Sequence, residues 1–276
     1  MIANLHIQTA LRNNITYLQS AYYTPPFKVA DITEDKRQKE LHLMLMNSSP
    51  GILDGDEYKL KIEVAQNGSL HLHTQSYQRL FQMKKGAQQT MEVHLARDSS
   101  FCFLPHPVVP HAASIFSAKN KIFLSDGCKL LWGEVITCGR KLSGEAFRFS
   151  SYHNCTEVFF NNKLVVKENL LLQPDRTDIQ AIGQLEGFTH QASLIYLNEA
   201  APVTDLINDN LEVLALQQNI VFGISALSVN GLVVRLLGFK AEQLHQCLKT
   251  IAQNITQHST PVQQAISNVK EEVYAS

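Results

Sequence analysis

Apolar and polar residues alternate along much of the chain, and turn residues break the alternation at regular intervals, the pattern of half-buried strands. Leu60, Ile62 and Val64 alternate with polar neighbours up to Asn67-Gly68, and Leu70 and Leu72 resume the alternation beyond it. The unit returns as Val93 and Leu95, Asp98-Ser99-Ser100, then Phe101 and Phe103. It returns again as Ile122 and Leu124, Asp126-Gly127, then Leu130 and Trp132. In these three copies Ile62, Val93 and Ile122 precede Leu70, Phe101 and Leu130 by the same 8 positions. A looser fourth copy runs from Val158 and Phe160 through Asn161-Asn162 to Leu164 and Val166, with a turn two residues shorter. A period of about thirty residues with two short strands per copy predicts strand layers that stack, each burying its apolar face on the next. The expected fold is mainly β, either a stacked β-helical (solenoid-like) arrangement or a two-layer β architecture. An ordinary sandwich is the alternative.

The periodicity changes in the C-terminal third. Val203 to Gln218 carries an imperfect helical stripe after Pro202, with Thr204 or Asp205 as its cap. Ala241 to Gln257 is clearer, since Leu244, Leu248, Ile251 and Ile255 share one face between Gly238 and Pro261. Between them, Ile220 to Phe239 is apolar enough to suggest a bilayer span, but Ser225, Ser228, Asn230, Gly231 and Arg235 interrupt it. A β-hairpin is expected there instead. The chain therefore reads as one domain over residues 1–276: β-rich over 1–200, helices near 203–218 and 241–257, and a polar tail at 259–276.

Composition narrows the function classes. Hydrophobic residues make up 45% and charged residues 18% of the 276 residues, which describes a folded protein with a rather apolar surface suited to partners. A net charge of -1 lacks the footprint of a nucleic-acid or acidic-membrane binder. The N-terminal residues show no secretory signal, so a cytoplasmic protein is expected. Cysteines 102, 128, 138, 155 and 247 form no Cys-x-x-Cys and sit in mostly apolar stretches, which favours reduced core thiols.

Common catalytic motifs are absent: there is no nucleophile elbow, phosphate loop, zinc-protease helix or dinucleotide fingerprint. His71 and His73 lie two apart on one strand face, where imidazoles can share a metal or simply be solvated. His94 with Glu92 lies on the polar face of the next copy. His106 and His111 bracket Pro107 and Pro110 in a rigid loop, facing a partner or a passing ion or serving the loop itself. Ser49 to Asp56 is the most unusual stretch. Gly51 and Gly55 permit positive φ or close backbone approach, and Asp54 and Asp56 set two carboxylates beside a turn that either holds a cation or is solvated.

Several of these segments, taken in order, resemble the urease accessory proteins of the UreD (UreH) family. The resemblance runs through Pro50-Gly51-Ile52-Leu53-Asp54-Gly55-Asp56, Thr74-Gln75-Ser76 and the proline loop Leu104-Pro105-His106-Pro107-Val108-Val109-Pro110. It continues with Glu134 and then Gly139-Arg140-Lys141-Leu142-Ser143-Gly144-Glu145-Ala146-Phe147. Tyr23 to Lys28 and Asn230 to Gly238 extend it to roughly residues 20–255. Two positions depart from the family pattern. Asp54-Gly55 stands where many members have paired glycines, and His111 where many have an aromatic or small residue.

The resemblance implies a right-handed β-helical fold with two helices, and a non-enzymatic metallochaperone scaffold for nickel insertion into apo-urease. Implied partners are the UreF accessory protein, the UreG GTPase through UreF, and apo-urease, in a two-fold hetero-oligomer without nucleic acid or membrane. No tightly bound cofactor is implied, only nickel in transit along a path of weak ligands, for which Asp56 and Glu134 are the candidates. His106 and His111 are secondary candidates. Pro50, Gly51, Gly55, Gly139, Arg140, Gly144 and Glu145 read as structural motif residues, with Arg140 and Glu145 pairing across their turn. A β-solenoid enzyme acting on polysaccharide through Asp54 and Asp56, or a pure scaffold that never touches metal, are the competing readings.

Overall fold

Asn67, Asp98 and Gly127 adopt the left-handed backbone, with φ of 57°, 58° and 69°, which asparagine, aspartate and glycine tolerate best. Each sits in a corner between two strands of one sequence copy. The corners stack on one another: the Asn67 amide donates to the Arg97 carbonyl at 3.0 Å, and the Asp98 amide to the Asp126 carbonyl at 3.0 Å. The computed structural model describes residues 1–198 and 203–258. Among them the chain is mainly β with two helices, built as two packed sheets.

The first sheet holds β1 (Ile2–Arg12), β2 (Ile15–Tyr23), β5 (Glu57–Val64), β8 (Ala87–Leu95), β11 (Ile115–Leu124), β13 (Ser151–Phe160) and β14 (Lys163–Leu172). The second contains β3 (Phe27–Asp31), β4 (Leu41–Asn47), β6 (Ser69–Thr74), β9 (Ser100–Phe103), β12 (Lys129–Thr137), β15 (His190–Asn198), β16 (Ile220–Ala226) and β17 (Gly231–Gly238). Short strands β7 (Gln78–Leu80) and β10 (Val108–Pro110) pair with each other, and β10 also touches β12.

The strands within one copy do not pair with each other. Each of the three matched copies gives one strand to each sheet, and these copies pair with one another in parallel. In the first sheet Ile7, Ile62, Val93, Ile122 and Val158 form one continuous ladder of fully buried side chains. In the second, Leu41, Leu70, Phe101 and Leu130 do the same. The register set by the 8-position spacing is thus the register of the sheets.

The fourth copy behaves differently. Asn161 and Asn162 both have positive φ, the geometry of a tight two-residue hairpin turn, so β13 and β14 pair antiparallel and stay in one sheet. Asn13 and Asn14 do the same for β1 and β2. Antiparallel hairpins therefore close both ends of the parallel stack in the first sheet.

Helix α1 (Val203–Ala215) and helix α2 (Ala241–His258) cover the outer face of the second sheet. Leu244, Leu248, Ile251 and Ile255 are the buried face of α2, packed with Leu131, Val135, Leu194 and Val234. The window from Ile220 to Phe239 forms the hairpin β16/β17. Its second strand is largely apolar because β17 is covered on both faces: Val233 joins the core between the sheets, while Leu232, Val234 and Leu236 join the core under the helices, and only Arg235 is exposed. The side chains of Thr204 and Asp205 and the polar tail 259–276 lie outside the described residues.

Candidate functional site

Alternation along β12 points Leu130, Trp132, Glu134 and Ile136 between the sheets, and Leu131 and Val135 toward α2. Gly133 lies on the helix side, where a Cβ would sit 2.4 Å from Leu104 and 3.2 Å from Leu248. The inward strip meets β11 and β13 at the positions of Asn120, Asn154 and Thr156. Asn120 and Thr156 continue a ladder that is apolar elsewhere, since Leu5, Leu60 and Met91 precede them in register, while Asn154 follows Ala118 in another.

The Glu134 carboxylate is the hub of this polar cluster. Oε1 accepts from the Trp132 indole N–H at 2.7 Å, the Thr156 hydroxyl at 2.8 Å and the Asn120 amide at 3.4 Å, while Oε2 accepts from the Asn154 amide. All four donors are neutral. None of the ion pairs among the described residues includes Glu134. Tyr152 lies close enough that burial, with the negative charge of Glu134 adding to it, pushes its phenol well above the ordinary range.

A cavity of about 150 Å³ opens beside this carboxylate. Its walls bring together residues far apart in sequence: Pro50 and Gly51, Thr74 to Tyr77, Pro105 and His106, Trp132 and Glu134, and Asn120 and Asn154. His106 is held by Thr74, whose hydroxyl lies 2.9 Å from His106 Nδ1 and accepts the His106 backbone N–H at 2.9 Å. Burial, reinforced by Lys249, keeps the His106 pKa below the usual histidine value. Gly51 has no room for a side chain, because a Cβ would stand 2.4 Å from the Arg79 carbonyl oxygen.

The other residues singled out in the sequence lie elsewhere. Asp56 is buried, accepts the Leu53 amide at 2.9 Å, and lies 2.9 Å from the Met1 amine. It meets the cavity wall only through Tyr58, whose hydroxyl is 3.4 Å away. Asp54 accepts the Lys85 and Gly86 amides at 2.8 and 3.0 Å, so it anchors a turn. His111 packs edge-on against Phe81 with ring centroids 4.8 Å apart, and burial followed by the charge of Arg140 lowers its pKa.

Arg140 and Glu145 form a two-point ion pair across the turn, and Glu145 also accepts the Ala112 amide at 3.2 Å. Gly144 closes the intervening helical turn in the left-handed conformation, and Gly55 has φ of 78°. These contacts tie the proline loop to the end of β12.

A second cluster lies on the outer face of the second sheet. His71 and His73 stack with ring centroids 3.8 Å apart, and His42 on the neighbouring strand places Nδ1 3.0 Å from His73 Nε2. Burial lowers the pKa of His71 to about 3, with His73 and His42 adding to the effect, and that of His73 to about 4, with His42 adding. His42 stood outside the pairwise spacing read from the sequence. Carrying the repeat one copy back, from Leu70 and Leu72 to Leu41 and Leu43, sets His42 beside His71.

A model of the UreD urease accessory protein family matches residues 1–270. The chain belongs to the UreD family. A Flavobacterium johnsoniae protein named urease accessory protein UreD is 49% identical over 256 residues, covering 92% of each chain. UreD proteins of Acetivibrio thermocellus and Haemophilus influenzae are 32% and 33% identical, covering 90% and 91% of this chain and 95% and 97% of their own. This UreD chain is accordingly an accessory protein rather than a catalyst, which removes the polysaccharide-enzyme alternative. No helix among the described residues is long and apolar enough to cross a membrane.

Proposed function

We propose that this chain acts in urease maturation as a cytoplasmic scaffold for nickel insertion, joining apo-urease to UreF and, through UreF, to UreG in a two-fold hetero-oligomer. In this reading nickel is cargo, and no cofactor stays bound. Membership of the UreD family supports the accessory role. The observation that carries the nickel path is Glu134, a carboxylate beside an internal cavity, bonded only to neutral donors and to no cation among the described residues. Such a group attracts a divalent ion, because its negative charge is not cancelled locally. It does not trap one, because the surrounding amide, hydroxyl and indole groups are weak ligands or none at all. His106 offers one nitrogen on the same wall. Asp56 would act on this path indirectly, by fixing Tyr58 and the turn at Pro50-Gly51.

Glu134→Gln tests the path by removing the charge while preserving the side chain's shape, and its amide oxygen can still accept from Trp132, Thr156 and Asn120. The tagged variant should co-purify with UreF, UreG and apo-urease as the unaltered chain does. Urease activation at limiting nickel, with bicarbonate and GTP, should fall by about tenfold, equivalent to about 1.4 kcal/mol. Unchanged activation by an assembled Glu134→Gln complex would remove the nickel path and leave a scaffold, whereas failure of the unaltered chain to assemble would remove the accessory reading itself.

A further inference from the structure

The imidazoles of His42, His71 and His73 have nitrogen atoms that all lie within 4.8 Å of one another. They stand on adjacent parallel strands, β4 and β6, whose register puts His42 beside His71 and leaves His73 one pleat further along the same face. Two nitrogens bound at 2.0–2.1 Å to a single ion are separated by about 2.9 Å at a right angle and about 3.3 Å at the tetrahedral angle. The 3.0 Å between His42 Nδ1 and His73 Nε2 falls within that span. His71 places a ring nitrogen within 4.8 Å of both, and its Nε2 lies 3.4 Å from the Cys102 sulfur.

The surroundings resemble those of a metal ligand set. His42 turns Nδ1 toward the cluster and holds Nε2 3.1 Å from the Glu40 carboxylate, the carboxylate–histidine arrangement that fixes a ligating ring and raises its basicity. Burial keeps His71 and His73 neutral at neutral pH, so both present a lone pair. His71, His73 and Glu40 line a groove of about 770 Å³ beneath α2, which gives an ion a way in. The alternative reading, a solvated strand face, does not account for three half-buried rings converging on one point.

We propose that His42, His71 and His73 form a binding site for a divalent first-row transition metal ion of the imidazole-preferring class, with Glu40 as the positioning residue. Cys102 stands next to His71 as a further donor. The site lies on the outer face of the second sheet, away from Glu134, and does not depend on the proposed path through the cavity.

Cobalt(II) is the probe, because its visible spectrum reports coordination directly. Titrated into the purified full-length chain, it should bind at one equivalent and give ligand-field bands. A His42→Gln/His73→Gln double variant should lose these bands and weaken binding by at least about a hundredfold, and Glu40→Gln should weaken it by about tenfold. Glu134→Gln should leave this equivalent intact. Melting curves without metal establish that the variants fold, and the cobalt-induced rise in Tm should vanish only in the histidine variant. Binding that persists in the folded double variant, or no binding by the unaltered chain at about 0.1 mM cobalt, the tight end of the range of extracellular calcium modules, would overturn the proposal.

Discussion

Four uncharged groups hold the Glu134 carboxylate, and three of them, Asn120, Asn154 and Trp132, stand in register with Met91, Ala118 and Phe103 of the preceding copy, while Thr156 stands beside Asn120 itself. Replacing Met91 by Asn120 one strand later turns a packing position into a donor. Such local exchanges leave the strand pattern intact. Glu134 was legible only through its place in an ordered set of motifs, because one charged residue in an alternating strand has no signature of its own. Its partners Asn120, Asn154 and Thr156 were not legible, since their convergence depends on which strands face each other across the core. Gly139 makes a sharper test at this scale. It has φ of 108°, and a Cβ there would stand 2.5 Å from the Glu145 carbonyl oxygen and 2.7 Å from that of Pro110. Gly139→Ala should therefore destabilise the protein by about 1–3 kcal/mol, measured by denaturant unfolding, because the conformation is strained for any L side chain. An unchanged midpoint would show that the turn can relax without its glycine.

Turn length decides what each pair of strands becomes. Corners at Asn67, Asp98 and Gly127 carry the chain to the other sheet, whereas the two-residue turns at Asn13-Asn14 and Asn161-Asn162 return it along the same one. The three matched copies were legible because strand spacing and corner chemistry repeat together. The fourth copy was read as a looser version of the same unit, although its shortened turn already specified a hairpin. Strands β7 and β10 escaped notice because three residues are too few to show alternation. The helices were legible from their apolar faces, and the end of α2 falls within one residue of the expected position. Corner chemistry predicts that Asn67→Val costs about 1–2 kcal/mol while Asn67→Gly is nearly neutral, since β-branched residues resist the left-handed region. Thermal melts of the two variants give the comparison, and equal losses would assign the corner's role to the asparagine side chain.

Across the whole molecule, two cores share the second sheet: one lies between the sheets and the other beneath the helices. His190 belongs to this shared layer, and burial, with Lys141 adding to it, lowers its pKa to about 4 from an ordinary 6.5. It is neutral when folded but gains a proton on unfolding below pH 6.5. The stability that follows from this is complete above pH 6.5 and is lost as the pH falls toward 4. His190→Gln should flatten the fall in Tm across that window, and parallel melting curves for the two proteins would locate the acid sensitivity elsewhere.

The bond from the Trp132 indole to Glu134 has a practical meaning at this scale. The chain contains a single tryptophan, and that tryptophan touches the carboxylate on which the proposed cargo path depends. Indole emission is sensitive to nearby charge, so the protein carries its own optical probe at the centre of the cavity. Whatever reaches Glu134, whether ion, proton or water, alters the light from one known residue, without any label being added.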